Sequence, residues 1–116
     1  MIDSMNSHRP LYGVLLVEDN EVLATCAAQY LTQRGLRVDT ASDTERAFEC
    51  LSMRPYDAVI TDLDLTGTGR PDGLTVVTAA AIARPRPTIL VWTGSSAILI
   101  HEEARRLGAD AVLEKP

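Results

Sequence analysis

Glu18-Asp19, Asp62, Thr93 and Lys115 each stand at or just behind the end of a short apolar run: Val14–Val17, Ala58–Ile60, Thr88–Trp92 and Ala111–Leu113. Their types make a chemically pointed set. Three carboxylates brought close repel one another and need a divalent cation. Hard oxygen ligands favour Mg2+, which takes one or two carboxylates, keeps waters and accepts a substrate phosphate. An Asp in that setting can attack phosphorus and form an acyl phosphate. A Thr hydroxyl and a Lys ammonium beside it would donate to the phosphoryl oxygens.

For residues so far apart in sequence to meet, the elements between them must keep returning the chain to one edge. Val14–Val17 is apolar without alternation, which suits a strand covered on both faces. From Glu21 to Arg34 the period lengthens, and Val22, Leu23, Cys26, Ala27, Tyr30 and Leu31 mark one helical face. Asn20 suits its N-cap and Gly35 its C′ position. Leu36–Thr40 reads as a second strand. Ser42-Asp43-Thr44-Glu45 matches a capping box with Ser42 at the N-cap, opening a helix through Met53 whose apolar face is Ala47, Phe48 and Leu51. Ala58–Ile60 is a third strand, and Thr66–Asp72, with Gly67, Gly69 and Pro71, a loop. A helix over Gly73–Ala83, a strand over Thr88–Trp92, a helix over Ser96–Leu107 and a last strand over Ala111–Leu113 complete the pattern. Strands alternating with amphipathic helices predict an α/β fold, a parallel sheet covered on both faces by right-handed crossovers. All strand C-terminal ends then share one rim, where ligands bind in such sheets.

Composition bounds the rest. The 116 residues suit one domain, and 11 Lys+Arg against 16 Asp+Glu give a net charge of −5. That acidity argues against a phosphate-neutralising nucleic-acid surface. No apolar run approaches the roughly 20 residues of a membrane span, and Met1–Pro10 lacks the apolar stretch of a secretory signal. A soluble cytoplasmic protein is expected. Two cysteines make no disulfide framework; Cys26 and Cys50, on apolar helix faces, are expected to be buried as small hydrophobes. His8 and His101 have no ligand companions and are expected at the surface. Trp92 is expected in or near the core.

The same residues carry a family resemblance. Val14-Leu-Leu-Val-Glu18-Asp19-Asn20, Tyr56-Asp-Ala-Val-Ile-Thr-Asp62, Val91-Trp-Thr93-Gly94 and Glu114-Lys115-Pro116 resemble the marks of response-regulator receiver domains, over roughly residues 11 to 116. The resemblance implies a flavodoxin-like doubly wound, five-stranded sheet of order 2-1-3-4-5. It implies that Asp62 is the phosphoacceptor and that Mg2+ is held by Glu18, Asp19, Asp62 and the backbone carbonyl of Asp64. Thr93 would be the switch hydroxyl, and Lys115 the phosphate-pairing lysine, followed by a cis peptide to Pro116. The phosphoryl donor would be a phosphohistidine on a sensor histidine kinase or a histidine phosphotransfer protein. Such a domain catalyses only its own phosphotransfer and dephosphorylation, so it is no turnover enzyme, and it contacts neither nucleic acid nor membrane.

Three features depart from that pattern. Val112 stands where an aromatic is usual. The loop after Asp62 has Thr66 in place of a Pro and is about three residues longer. No fifth helix follows the last strand. Residues 1–11 then read as an N-terminal extension and 12–116 as a receiver domain stopping after the fifth strand, with four helices. One sheet face would carry a single helix, which suggests a trimmed chain or self-association through the open face.

Three other readings compete. Asp62-Leu-Asp64-Leu-Thr66 fits the D-x-D-x-T run of haloacid-dehalogenase-type phosphatases, with Asp64 as acid/base and Thr93 and Lys115 in the remaining roles. That family places the motif on its first strand and its further acids after the Lys. Glu18 with Asp62-x-Asp64 resembles a Toprim-like metal site acting on nucleic-acid phosphates. A receiver-like interaction domain that is not phosphorylated is the third.

Overall fold

The computed structural model describes residues 12–116. Strands β1 (Gly13–Val17), β2 (Arg37–Ala41), β3 (Ala58–Thr61), β4 (Thr88–Thr93) and β5 (Ala111–Glu114) alternate with helices α1 (Glu21–Gln33), α2 (Thr44–Met53), α3 (Leu74–Ile82) and α4 (Ile98–Leu107). The strands form one sheet in the order β2-β1-β3-β4-β5, parallel throughout. Expected fold class and strand order are both met. No helix among the described residues is long and apolar enough to cross a membrane.

The main core lies between the sheet and the three helices on one face. Leu15, Val17, Val59, Ile89 and Val91 point inward there against Ala47 of α2, Val76, Val77 and Ala80 of α3, and Ala104 of α4. Small residues at the helix contacts let the backbones approach the sheet closely. The loop behind β3 joins the same core. Leu63 and Leu65 are buried, so the polar residues between and beside them, Asp62 and Asp64, are turned the other way.

Among the described residues, the opposite face carries α1 alone, packed on β1 and β2. Asn20 accepts the Leu23 N–H at 3.0 Å as the expected N-cap, and Gly35 takes φ 87° past the helix end, the left-handed turn that glycine makes at little cost. Only part of the expected apolar face is covered: Leu23, Ala27 and Leu31 are half-buried, as are Ala24 and Ala28. Val22 is 72% and Tyr30 56% exposed. Cys26, expected to be buried, is exposed, whereas Cys50 is half-buried against the core. The physical reason is positional, because α1 covers the β1–β2 side and no described element lies over its other flank. Ile60, Leu90 and Trp92 on the same sheet face are half-buried, and Leu113 is 50% exposed.

Two local expectations need correction. The α2 N-cap is Asp43, not Ser42; its Oδ1 accepts the Arg46 N–H at 2.8 Å. Both are cap-forming residues, and the charged carboxylate one position later is favoured beside the helix N-terminus. The Lys115–Pro116 bond is not cis; among the described residues the cis bond is Arg84–Pro85. An X–Pro bond prefers trans by about 0.5–1 kcal/mol unless packing overrides it, and Pro116 is exposed. The expected extension over residues 1–11, including His8, lies outside the described residues.

Candidate functional site at the carboxyl ends of the strands

Backbone ladders carry each expected residue to the rim. The Glu18 N–H bonds the carbonyl of Ala41 at 2.9 Å, the Asp62 N–H that of Val17 at 3.0 Å, and the Lys115 N–H that of Thr93 at 2.8 Å. Each strand is thereby extended by one residue along its neighbour. Because the strands are parallel and in register, these extra residues emerge on the same side.

Their side chains converge. One carboxylate oxygen from each of Glu18, Asp19 and Asp62 lies within 4.8 Å of the others. Lys115 Nζ sits 2.6 Å from Glu18 Oε1 and 2.8 Å from Asp62 Oδ2, and donates a hydrogen bond to Asp62. Glu18, Asp62 and Thr93 are all buried. Burial pushes the Glu18 carboxyl up; Lys115 and the Asn20 N–H offset part of this, and the nearby Asp62 charge adds to it. For Lys115 burial works downward, but the bond to Asp62 and the proximity of Glu18 outweigh it and hold the ammonium above its ordinary value.

Glu18 Oε2 accepts the Asn20 N–H at 3.1 Å. Oε1 is buried and has the Lys115 ammonium at 2.6 Å as its counter-charge. A buried carboxylate needs such a partner, and Glu18 also faces two further carboxylates. This donor set suits a hard divalent cation.

Asp62 itself is tightly framed. Its Oδ1 accepts the Leu63 N–H at 2.7 Å, and its carbonyl accepts the Thr61 hydroxyl at 2.8 Å. Gly73 closes the loop against the same backbone through its N–H to Leu63 O at 2.8 Å. A Cβ at Gly73 would strike the Asp62 carbonyl oxygen. Sequence reasoning gave Thr61 and Gly73 no role; Gly73 is the N-cap of α3, a position where glycine is ordinary, so its type gave no signal of the close approach.

Asp64 is not part of the acidic cluster. Its carboxylate holds the long loop, accepting N–H groups from Thr66 at 3.3 Å, Gly67 at 2.9 Å and Gly69 at 2.8 Å. Those bonds, that of Gly69 first, keep its carboxyl below the usual range. An acid/base or metal-ligating side chain at position 64, as the phosphatase and Toprim-like readings require, is therefore already committed elsewhere. The backbone carbonyl of Asp64 takes no hydrogen bond among the described residues.

Thr93 Oγ1 accepts the Ser95 N–H at 3.2 Å, which leaves its own proton free to be donated. Val112 is half-buried against the core. Trp92 is half-buried beside the rim, with Lys115 Nζ 5.2 Å from its ring centroid. His101, expected at the surface, is buried, with Nε2 2.6 Å from the Ser95 carbonyl. Its place one turn into α4, on the face that meets the loop, overrides the polar preference of the residue type.

A family model described as the response regulator receiver domain matches residues 14–116. The transcriptional regulatory protein QseB of Escherichia coli O157:H7 is 34% identical over 103 residues, covering 89% of this chain and 46% of its own length. CutR of Streptomyces coelicolor is 33% identical over 104 residues, again 89% and 46%. The chain thus spans a little under half the length of these curated relatives. A Burkholderia pseudomallei response regulator, solved with a phosphorylated aspartic acid, a calcium ion and citrate, superposes with a TM-score of 0.83 at 31% identity, over 90% of this chain and 59% of that one. Thermotoga maritima TrrA in complex with Mg2+ and BeF shares the fold, at a TM-score of 0.78 and 24% identity over 91% and 88% of the two chains.

Proposed function

The chain belongs to the response regulator receiver domain family, and from that premise we propose that Asp62 accepts a phosphoryl group from a phosphohistidine and that the domain changes conformation in response. The observation that supports this most is the position of Lys115 Nζ between Glu18 and Asp62 at 2.6 and 2.8 Å, beside the Asp19 carboxylate. Opposed charges drawn from three strand ends are what a site for transferring an anionic group needs.

In the transfer, a carboxylate oxygen of Asp62 forms the new O–P bond as the P–N bond to the donor imidazole breaks. The bonding pair leaves with the imidazole nitrogen. Lys115 pairs with a phosphoryl oxygen and Thr93 donates its free hydroxyl proton to another. Glu18, Asp19, Asp62 and the Asp64 carbonyl would hold Mg2+, which when bound neutralises phosphoryl charge among the carboxylates. Drawing Thr93 and Lys115 onto the added charge biases a two-state equilibrium of the neighbouring loops.

The donor is a sensor histidine kinase or a histidine phosphotransfer protein in the cytoplasm. The domain turns over no external substrate beyond this self-catalysed transfer and its later hydrolysis, and it makes no direct contact with nucleic acid or membrane. Self-association through Ile60, Leu90, Trp92 and Leu113 belongs to the same proposal, and sedimentation showing only monomer across micromolar concentrations would remove it. Acetyl phosphate with Mg2+ should add one phosphoryl mass, and Asp62→Asn should abolish the addition. Equal labelling of the variant would overturn the assignment of Asp62. Many phosphates released per chain from a phosphomonoester would favour a phosphatase instead.

A further inference from the structure

Gly94–Ala97, between β4 and α4, is sparsely anchored. Gly94 has nothing within 4 Å of the place its Cβ would occupy. The α4 N-cap, Ala97, offers no side-chain cap bond. Within the loop, Ser95 Oγ accepts the Ala97 N–H at 3.3 Å, a local turn that ties the loop to nothing outside itself. The side chain that reaches the loop from the helix is His101.

His101 is 8% exposed, and its Nε2 stands 2.6 Å from the Ser95 carbonyl oxygen. A carbonyl oxygen only accepts, so Nε2 carries the proton and donates. The carbonyl and the N–H of Ser95 flank one Cα, so holding the first restricts the second. That N–H is the donor to Thr93 Oγ1 at 3.2 Å. A two-bond chain thus runs from α4 through Ser95 to the hydroxyl at the rim.

Resting on the reading of Asp62 as the acceptor, we propose that His101 is a positioning residue for phosphoryl transfer, acting through Ser95 to aim the Thr93 hydroxyl. Thr93 Oγ1 has two lone pairs and one proton. With one lone pair held by the Ser95 N–H, its rotation is restricted and the proton points away from the loop. Loss of the His101 bond frees the Ser95 peptide groups, and the hydroxyl spends less time in the donating orientation. His101 touches neither the carboxylates nor Lys115, so its effect must pass through Thr93.

A double-mutant cycle tests this dependence on Thr93. The rate of labelling by acetyl phosphate with saturating Mg2+ is measured for wild type, His101→Leu, Thr93→Ala and the pair. His101→Leu should slow labelling about three- to tenfold. Adding it to Thr93→Ala should cost nothing more. His101→Gln, whose amide can donate to the same carbonyl, should recover most of the rate. Thermal melting separates folding from positioning, and His101→Phe replaces Leu in the cycle if Leu does not fold. An unchanged rate in His101→Leu, or a loss that persists in full in the Thr93→Ala background, would overturn the inference while leaving Asp62 as the acceptor. Equal labelling of Asp62→Asn overturns the acceptor assignment itself, and this inference with it.

Discussion

Lys115 Nζ lies 2.8 Å from Asp62 Oδ2, joining the residue behind β5 to the residue behind β3. The same ammonium balances buried Glu18, so it performs the work of a cation at the rim. A divalent ion bound there must compete with it for both carboxylates. Lys115→Met should therefore tighten Mg2+ binding about three- to tenfold, measured by calorimetry. It should also lower stability without Mg2+ by about 1–3 kcal/mol, because two buried carboxylates lose their counter-charge. Saturating Mg2+ should restore most of that loss by mass action. Weaker Mg2+ binding in the variant would mean that the ammonium is not a competitor.

Gly73 sets a second constraint on Asp62. A Cβ there would meet the Asp62 carbonyl oxygen and come within 2.8 Å of Leu63 Cα. Both neighbours are backbone, which cannot swing aside as a flexible side chain can. Gly73→Ala should cost about 1–3 kcal/mol by overpacking, read as a lower urea midpoint. The displaced carboxylate should also take up phosphoryl groups about ten- to a hundredfold more slowly. An equally stable variant would show that the loop yields to the added methyl, and one that is also fast would show that it yields without moving Asp62.

How far the sequence carried can be seen from these residues. Strand ends were legible because apolar runs stop abruptly at acids or at Thr93, and parallel topology then forces those ends together. Expectations failed where burial depends on what lies across the sheet. Cys26 and Tyr30 fit the period of α1, yet period says nothing about whether an element covers that flank. His101 has no motif around it, and its burial follows from how α4 meets the Gly94–Ala97 loop. Gly73 and Asp64 act through close approach and backbone hydrogen bonds, which one-dimensional patterns do not register. Asp43 displaced Ser42 as a cap because adjacent cap-forming residues leave the register open by one position.

Asp110, outside the rim, offers a pH test. Its Oδ2 accepts the Ile89 N–H at 2.7 Å and lies 3.1 Å from Arg86 Nη1. The Ile89 N–H above all, with Arg86 assisting, holds its carboxyl below the usual range despite slight burial. A carboxylate depressed on folding stabilises the native state above its unfolded pKa, about 3.9, and that contribution is lost as pH falls through the folded value. Asp110→Asn keeps an oxygen for the Ile89 N–H but does not titrate. Urea midpoints measured from pH 7 down to pH 3 should therefore fall less steeply below about pH 4 in the variant than in wild type. Parallel curves would show that Asp110 titrates alike in both states.

Trp92, the single tryptophan, can report on the rim because Lys115 Nζ stands 5.2 Å from its ring centroid. An ammonium at that distance interacts with the indole face and alters the field its excited state feels. Phosphorylation of Asp62 would draw Lys115 toward the new charge and away from its present place over the ring. Beryllofluoride with Mg2+, an analogue of the phosphoryl group, should therefore change Trp92 emission in wild type. Mg2+ alone should give a separate, smaller change by displacing the ammonium from Glu18 and Asp62. Lys115→Met should lose both responses while still binding Mg2+ by calorimetry, and Asp62→Asn should lose the beryllofluoride response. Full retention of the signal in Lys115→Met would place its origin elsewhere on the exposed side of the indole.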